Sequence, residues 1–544
     1  MRCSRRSILP LFWPLFWPLL LPLLWLLPAS SAFAGSPNVF NASRHDTSPQ
    51  FGLLSASGRA PASSPDREGP EPRSTGPALN SGRADVVASE LAGPLKGVST
   101  VLRFDGQSAV DNRRVLGFAF VPPDTSGAVG TSQYVQMVNV TIAVYSKRDG
   151  ALLLGPAPIH SLWQGFGGLC ENGGTSDTFK DGGDPIVLFD HLAGRWLVSQ
   201  LQYDETFTHT AQCIAISTTS DATGSYHRYQ FDYGANFPDY PKFGIWPDGY
   251  YNAIDVFPGS SFAGAQACAF DRAAMLAGAP ASAICFQQPP SVSSLLPADL
   301  DGSTLPPAGS PNYFVGLADA SHLHLFKFHA DFANPARSTF SGPTLVQVAE
   351  YNEICARAIT VACIAEPQPG EKVDALSDRV MFRLAYRNFG DHESLVVNHT
   401  VLGGALGGVR WYEIRNPGSV PVVHQQGTVV DPSANFWLGS IAMDRAGDIA
   451  LGFNSMSHNQ FSNIYVAGRT PSDPPGKMFG PLVLATGSGV QSSSFKRWGD
   501  YSSMTVDPKD DCTFWYTQEY YVATGSFNWA TRIGAFKFDG CKPK

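Results

Sequence analysis

Asp184, Asp500, Lys242 and Arg497 are the residues of this chain whose types and placement could do chemistry. Each stands at or beside the head of a short apolar run, as in GGDPIVLFDHLAGRWLVSQ (182–200) and FKRWGDY (495–501). Two carboxylates facing each other across a sugar ring supply a general acid and a general base, the role expected of Asp184 and Asp500. Lys242 and Arg497 would stabilise an anionic group or developing charge. Trp437 and Trp498 lie beside two such heads, where an indole face stacks on a sugar and nearby charges orient its hydroxyls or a uronate. Asp124 and Arg379 head two further runs and join the set as substrate-binding candidates. Each has a plainer alternative. A repeated Asp at a strand start bonds its own turn, and the tryptophans could wedge between neighbouring sheets.

Smaller clusters carry less. His392 beside Glu393 could transfer protons, or could belong with Arg383, Arg387, Asn388 and Asp391 to an ion-pair network fixing a turn. His322 and His324 share a strand face by period two, but no third metal ligand accompanies them. DLDG (299–302) and DPKDD (507–511) resemble Ca²⁺ loops only loosely, without EF-hand spacing, and no other cofactor is called for. No G-x-S-x-G, H-E-x-x-H, phosphate-binding loop or dinucleotide fingerprint stands in a fitting context.

These residues recur because the chain repeats. DTSGAVGTSQYVQMVN (124–139), the stretch 182–200, DYPKFGIWPDGYYNAIDVF (239–257), LGSIAMDRAGDIALGFN (438–454) and DYSSMTVDPKDDCTFWYT (500–517) share one plan: a polar head, a strand, a turn, a second strand. LLPADLDG (295–302) with NYFVGLA (312–318), and DRVMFRLAYRN (378–388) with LVVNHTV (395–401), are weaker copies. The copies begin near 124, 184, 241, 299, 378, 438 and 501. Each is followed by material for a third strand, such as TIAVYS (141–146) or HLHLFKFH (322–329), and in most copies a fourth. A period near 60 residues with several strands per copy predicts an all-β fold, a single seven-bladed β-propeller over 96–544. The last copy ends on RIGAFKF (532–538) without a fourth strand, so GVSTVLRF (97–104) is expected to complete it and close the ring.

The chain has 544 residues, 53 Gly, 42 Pro and only 15% charged residues, a mix suited to short strands and tight turns. Net charge is −8, with no basic stripe, which excludes nucleic acid as an expected partner. Arg2, Arg5 and Arg6, an apolar run and Ala32-Phe33-Ala34 read as a signal peptide over 1–34. The run is long enough to span a membrane, but its four prolines argue against a stable helix and for cleavage, giving a secreted or periplasmic protein. Residues 35–95, rich in Ser, Pro, Gly and Ala, predict a disordered linker. Cys3 leaves with the signal and eight cysteines remain, an even number that predicts disulfides in an exported chain. Connectivity is not fixed by sequence. Sequential pairing, Cys170–Cys213, Cys268–Cys285, Cys355–Cys363 and Cys512–Cys541, keeps each bond within a local unit.

LAYRNFGDHESLVVNHTV (384–401), GVRWYEIR (408–415), LGSIAMD (438–444) and the run from Arg497 to Tyr521 resemble motifs of a group of secreted bacterial β-propeller proteins. That resemblance implies an exported propeller and brings no activity. The blade plan also resembles sialidase-like, glycan-active propellers, although no clear S-x-D-x-G-x-T-W box is present. It implies an extracellular glycan bound or cleaved at the channel mouth by a glycoside hydrolase or polysaccharide lyase. The alternative is a non-catalytic adhesion or protein-interaction scaffold whose partner is a surface protein.

Overall fold

The structure, a computed structural model, describes residues 35–56, 63–69, 78–173, 181–355, 362–492 and 494–543. The expected signal peptide lies outside the described residues. The fold is all-β. Its units are antiparallel meanders, and in three of them an aspartate closes the hairpin between the first two strands. In one, Asp190 ends Ile186–Asp190 and its Oδ1 accepts from Leu192 N (3.1 Å) and Ala193 N (3.1 Å), before Arg195–Tyr203 returns with Trp196 opposite Phe189. Asp444 Oδ1 repeats the device, accepting from Ala446 N (2.8 Å) and Asp448 N (3.0 Å), and Asp507 Oδ1 accepts from Lys509 N (2.9 Å). A short carboxylate that satisfies turn amides lets two apolar strands meet without burying bare N–H groups.

The first meander runs Ser126–Val129, Gln133–Val138, Thr141–Ser146, Leu152–Pro158. The second runs Ile186–Asp190, Arg195–Tyr203, Thr210–Ser217, Tyr226–Gly234, and the third Asn236–Ile245, Tyr250–Pro258, Ala265–Phe270, Ser282–Gln287. The fourth begins at Leu296–Asp301, the fifth at Met381–Asn388, the sixth at Asn435–Met443 and the seventh at Ser503–Val506. The first strands of consecutive meanders touch in a circuit, and Ser503–Val506 touches Ser126–Val129 in turn. This is the arrangement of a β-propeller. Between the fourth and fifth meanders the contact becomes parallel pairing, Asp299 opposite Ala385 and Asp301 opposite Arg387. Val98–Ser108 pairs antiparallel with Trp529–Phe538, on the outer edge of the seventh meander.

The cysteines pair as the sequential scheme has them, with Cα–Cα distances of 5.8, 4.1, 5.9 and 5.7 Å for 170–213, 268–285, 355–363 and 512–541. All lie within disulfide reach.

The disordered reading of 35–95 does not hold for the described part of that segment. Asn38–Asn41 adds to Ser282–Gln287, Arg44–Thr47 to Tyr226–Gly234, and Ala88–Glu90, in parallel, to Val422–Val430. Three aspartates anchor this strap: Asp46 on Arg228 (2.6 Å), Asp66 on Arg113 (2.6 Å) and Asp85 on Arg410 (2.7 Å), the last pair fully buried. Its composition supplies little apolar surface, but the open strand edges of the meanders supply hydrogen bonds and buried guanidinium groups. Composition alone counts only what a segment brings itself. Deleting residues 35–47 uncovers the edges at Tyr226–Gly234 and Ser282–Gln287, and exposed edges pair with other chains. Sedimentation velocity is expected to show more self-association in the shortened chain than in the chain starting at residue 35. Identical profiles would contradict the edge-covering role.

Candidate functional site

The mouth of the channel is where the first strands begin. Three of them are preceded by a residue in the left-handed region, Asp124 (φ 48°), Asp184 (49°) and Ser294 (48°), each two positions before Ser126, Ile186 and Leu296; Tyr240 (53°) and Leu438 (50°) take the same conformation inside Asn236–Ile245 and Asn435–Met443, at the register irregularities before Lys242 and Ser440. Such a conformation is uncommon outside glycine and needs support. The support comes from the preceding meander. Asn139 Oδ1 accepts from Asp184 N (3.0 Å), Asp184 Oδ2 from Tyr240 N (3.0 Å), Asp255 Oδ1 from Ser294 N (2.7 Å) and Thr400 Oγ1 from Leu438 N (3.1 Å). Asp124 Oδ1 accepts from Asp500 N (2.8 Å), joining the first meander to the last. So Asp124 and Asp184 do not bond their own turns, as the plainer reading had it. They hold the neighbouring meander.

Lys242 sits at a register irregularity between Asn236–Ile245 and Tyr250–Pro258 that turns its side chain into the mouth. Its ammonium is fully buried, 3.4 Å from the Tyr240 ring centre and 3.9 Å from that of Tyr501, and donates to Pro241 O (3.2 Å). Ring faces attract a desolvated cation. Burial lowers its pKa to about 8, against the pull of Asp184, Asp124 and Asp500. Burial raises Asp124, and the Asp500 and Asp184 carboxylates add to the rise. Burial also raises Asp184, while Lys242 opposes and Asp500 reinforces the shift. One mouth therefore contains Asp124, Asp184, Asp500 and Lys242. Arg379 joins it, 4.5 Å from the Tyr240 ring and paired with Asp378 at 3.0 Å. Arg497 donates through Nη2 to both oxygens of Asp500 (2.9 and 3.0 Å). Of the three carboxylates, Asp124 and Asp500 are buried and Asp184 keeps partial contact with solvent.

Lys242 makes stability depend on pH with a definite sign. Its folded pKa lies below the unfolded value, so between the two the unfolded chain holds more protons and stability rises with pH. Relative to Lys242→Met, the parent protein is expected to gain about 1–1.5 kcal/mol from pH 7 to pH 9 in urea unfolding. Parallel profiles would contradict a buried ammonium.

Trp437 and Trp498 depart from the sugar-platform expectation. Both are fully buried, 5.6 Å apart between ring centres, in a cluster with Tyr521, Trp529, Met456 and Val138. Trp498 Nε1 donates to Asn454 Oδ1 (3.2 Å). Their burial in this cluster fits the wedge alternative.

The far end of the channel opens on a small recess of about 30 Å³, lined by His191, Asp299, Asp301, Arg383, Thr505 and Asp511 among others. Both loosely Ca²⁺-like stretches reach it, but basic side chains pair with Asp299, Asp301, Asp507 and Asp511. Arg383 bonds Asp299 (2.9 Å) and Asp301, and Arg387 bonds Asp511 (2.8 Å). This is the network reading of that cluster, while His392 bonds Asp391 (2.7 Å) on the surface. His322 bonds Asp319 (3.0 Å) and His324 packs edge-on to Phe326.

Sequence reasoning missed a pair at the mouth. Asp181, fully buried, accepts from His160 N (2.6 Å) and bonds its ring Nδ1 (2.6 Å). Nearby, burial pushes the Tyr203 hydroxyl up, with Asp184 and Asp181 adding to the shift and Arg67 opposing it. These groups share one electrostatic neighbourhood. The run Asp181-Gly-Gly-Asp184 was the available signal, but nothing in the sequence ties it to His160.

No protein-family model matches the chain, and no curated protein matches it. Among solved structures, α-L-arabinanase of Penicillium chrysogenum complexed with arabinobiose aligns at TM-score 0.36 and 8% identity, over 82% of this chain and 99% of that one. α-L-Arabinofuranosidase of Fusarium graminearum aligns at 0.35 and 8%, over 82% and 99%. Trypanosoma rangeli sialidase with the inhibitor DANA aligns at 0.31 and 11%, over 65% and 54%. Likeness at this level assigns neither activity nor substrate.

Proposed function

We propose that this chain is an exported β-propeller that binds an extracellular glycan at the channel mouth. On this reading the seven meanders are the blades of one ring, Val98–Ser108 closes the last blade, and residues 1–34 are a signal peptide removed on the way to a secreted or periplasmic location. Four disulfides fit an oxidising compartment. Among the described residues no helix is long and apolar enough to cross a membrane.

The observation that carries the reading is Asp184, the one carboxylate of the mouth trio in contact with solvent, on a segment bonded to the strand end of Tyr203 through Leu201 N to Gly183 O (3.1 Å). Binding is favoured over cleavage by a second observation. Hydrolysis wants two carboxyl groups roughly 5–9.5 Å apart across an open cleft, whereas Asp124 is committed to Asp500 N and Asp500 to Arg497. The same commitment favours the alternative of a non-catalytic scaffold for a surface protein. If cleavage does occur, Asp184 and Asp500 remain the acid and base, Lys242 and Arg497 the charge stabilisers.

The test is a screen of the chain from residue 35 against a polysaccharide panel, reading retention together with new reducing ends and unsaturated products. Retention without products is expected. Products that vanish in Asp184→Asn would make it an enzyme. No retention, with capture of a protein partner by the mouth face, would overturn the glycan reading.

A further inference from the structure

The loop after Arg195–Tyr203, on the mouth face, holds an aromatic ring in a costly way. Phe207 has φ 56°. A bulky residue in the left-handed region is strained by about 1–3 kcal/mol. Asp204 offsets that strain, accepting from Thr206 N (3.1 Å), Thr206 Oγ1 (3.1 Å), Thr208 N (2.9 Å), Thr208 Oγ1 (3.0 Å) and His209 Nδ1 (2.7 Å). A turn of this shape accepts Gly or Asn without strain. What the strain achieves here is display. The Phe207 ring stacks on Tyr203 at 4.5 Å and 12°, braced by Phe237 at 5.7 Å, and stays 38% exposed. The strand end that carries Tyr203 is tied to the Asp184 segment, Leu201 N donating to Gly183 O (3.1 Å).

We propose that Phe207 is the stacking platform of a glycan subsite continuous with Asp184, and that the glycan it takes is neutral; this rests on the glycan reading above. An exposed ring braced from behind matches the apolar face of a sugar. The exposed Thr206 and Thr208 hydroxyl oxygens and the His209 Nε2 border it with groups that can still pair with sugar hydroxyls. A lone ring with a polar border is too small for a protein or lipid surface, which takes a contiguous apolar patch of several hundred Å². The charge selects among sugars. The loop that carries the ring holds Asp204 and the exposed Glu205 and no Lys or Arg, while the buried Lys242 of the mouth is already shared among Asp184, Asp124 and Asp500. Like charge disfavours a polyuronate, so the uronate admitted as a ligand from sequence is not the one expected.

Affinity electrophoresis of the chain from residue 35 through gels containing arabinan, laminarin, polygalacturonate or alginate tests this. A neutral polysaccharide is expected to retard the protein more than either polyuronate. Phe207→Ala should weaken that retardation at least tenfold, Phe207→Tyr should keep it, and Leu345→Ala, an exposed apolar side chain (54%) on an outer strand, should leave it unchanged. Thermal midpoints verify that each variant folds. Neutral-glycan binding that Phe207→Ala leaves intact, or stronger retardation by a polyuronate, overturns the subsite while the glycan reading survives. Retardation by none of the four at any loading overturns both.

Discussion

Replacing Arg383 by Met is expected to destabilise the fold by about 3–5 kcal/mol at pH 7.5, the cost of removing one partner from a buried ion group. The Arg383 side chain is 1% exposed. It donates to Asp299 (2.9 Å), to Asp301 and to Met504 O (3.0 Å), so it ties the fourth, fifth and seventh meanders together. Met fills much of the same space but leaves two carboxylates facing each other without a cation. Burial already raises Asp299 to about 6, with Arg383 opposing that rise and Asp301 adding to it. A folded pKa above the unfolded one means the folded state binds the proton more tightly, so protonation stabilises the fold as pH falls. In the variant this uptake begins at still higher pH. The deficit should therefore shrink between pH 7.5 and pH 5, as read by urea unfolding at both. A deficit below about 1 kcal/mol, or one that grows on acidification, would mean that the guanidinium is not what balances these carboxylates.

Trp498→Ala is expected to cost about 3–5 kcal/mol, the range for deleting a large buried aromatic. Trp498→Phe should cost less, chiefly the hydrogen bond to Asn454 and part of the contact with Trp437 and Tyr521. Neither change should alter glycan retention at temperatures where the variant is folded. A sugar platform would behave in the opposite way, with stability nearly unchanged and retention lost. The pair of variants thus separates the wedge from the platform by which quantity moves.

Much of the frame was legible because strand alternation and hairpin turns are local. Thr141–Ser146 and His322–His329 fall where the sequence put third strands, and Asp190, Asp444 and Asp507 close hairpins that can be read from a few residues. The disulfides follow the sequential scheme, one of several the sequence allowed, because each joins neighbouring segments. The left-handed heads were not. Their support comes from another meander, as when Asp124 meets Asp500 across 376 positions, and no local pattern reports it. Trp437 and Trp498 stand where a platform would stand, and only the packing above them distinguishes the two uses. The strap was misread because its stability resides in edges and arginines elsewhere in the chain, such as Arg228 and Arg410. Asp184, Lys242 and Asp500 converge as their shared place in the repeat required, yet their commitment to backbone amides and to Arg497 was invisible until neighbours were known.

The central claim, that the mouth face takes the glycan, is tested most directly by hydrogen–deuterium exchange on the chain from residue 35, with and without the polysaccharide that retards it most. Protection is expected in peptides covering 181–184, 201–209 and 239–242, where Asp184, Tyr203, Phe207 and Lys242 lie, with no change at 299–302 or 505–511 around the far recess. Protection confined to the far recess, or none anywhere under saturating polysaccharide, would contradict it.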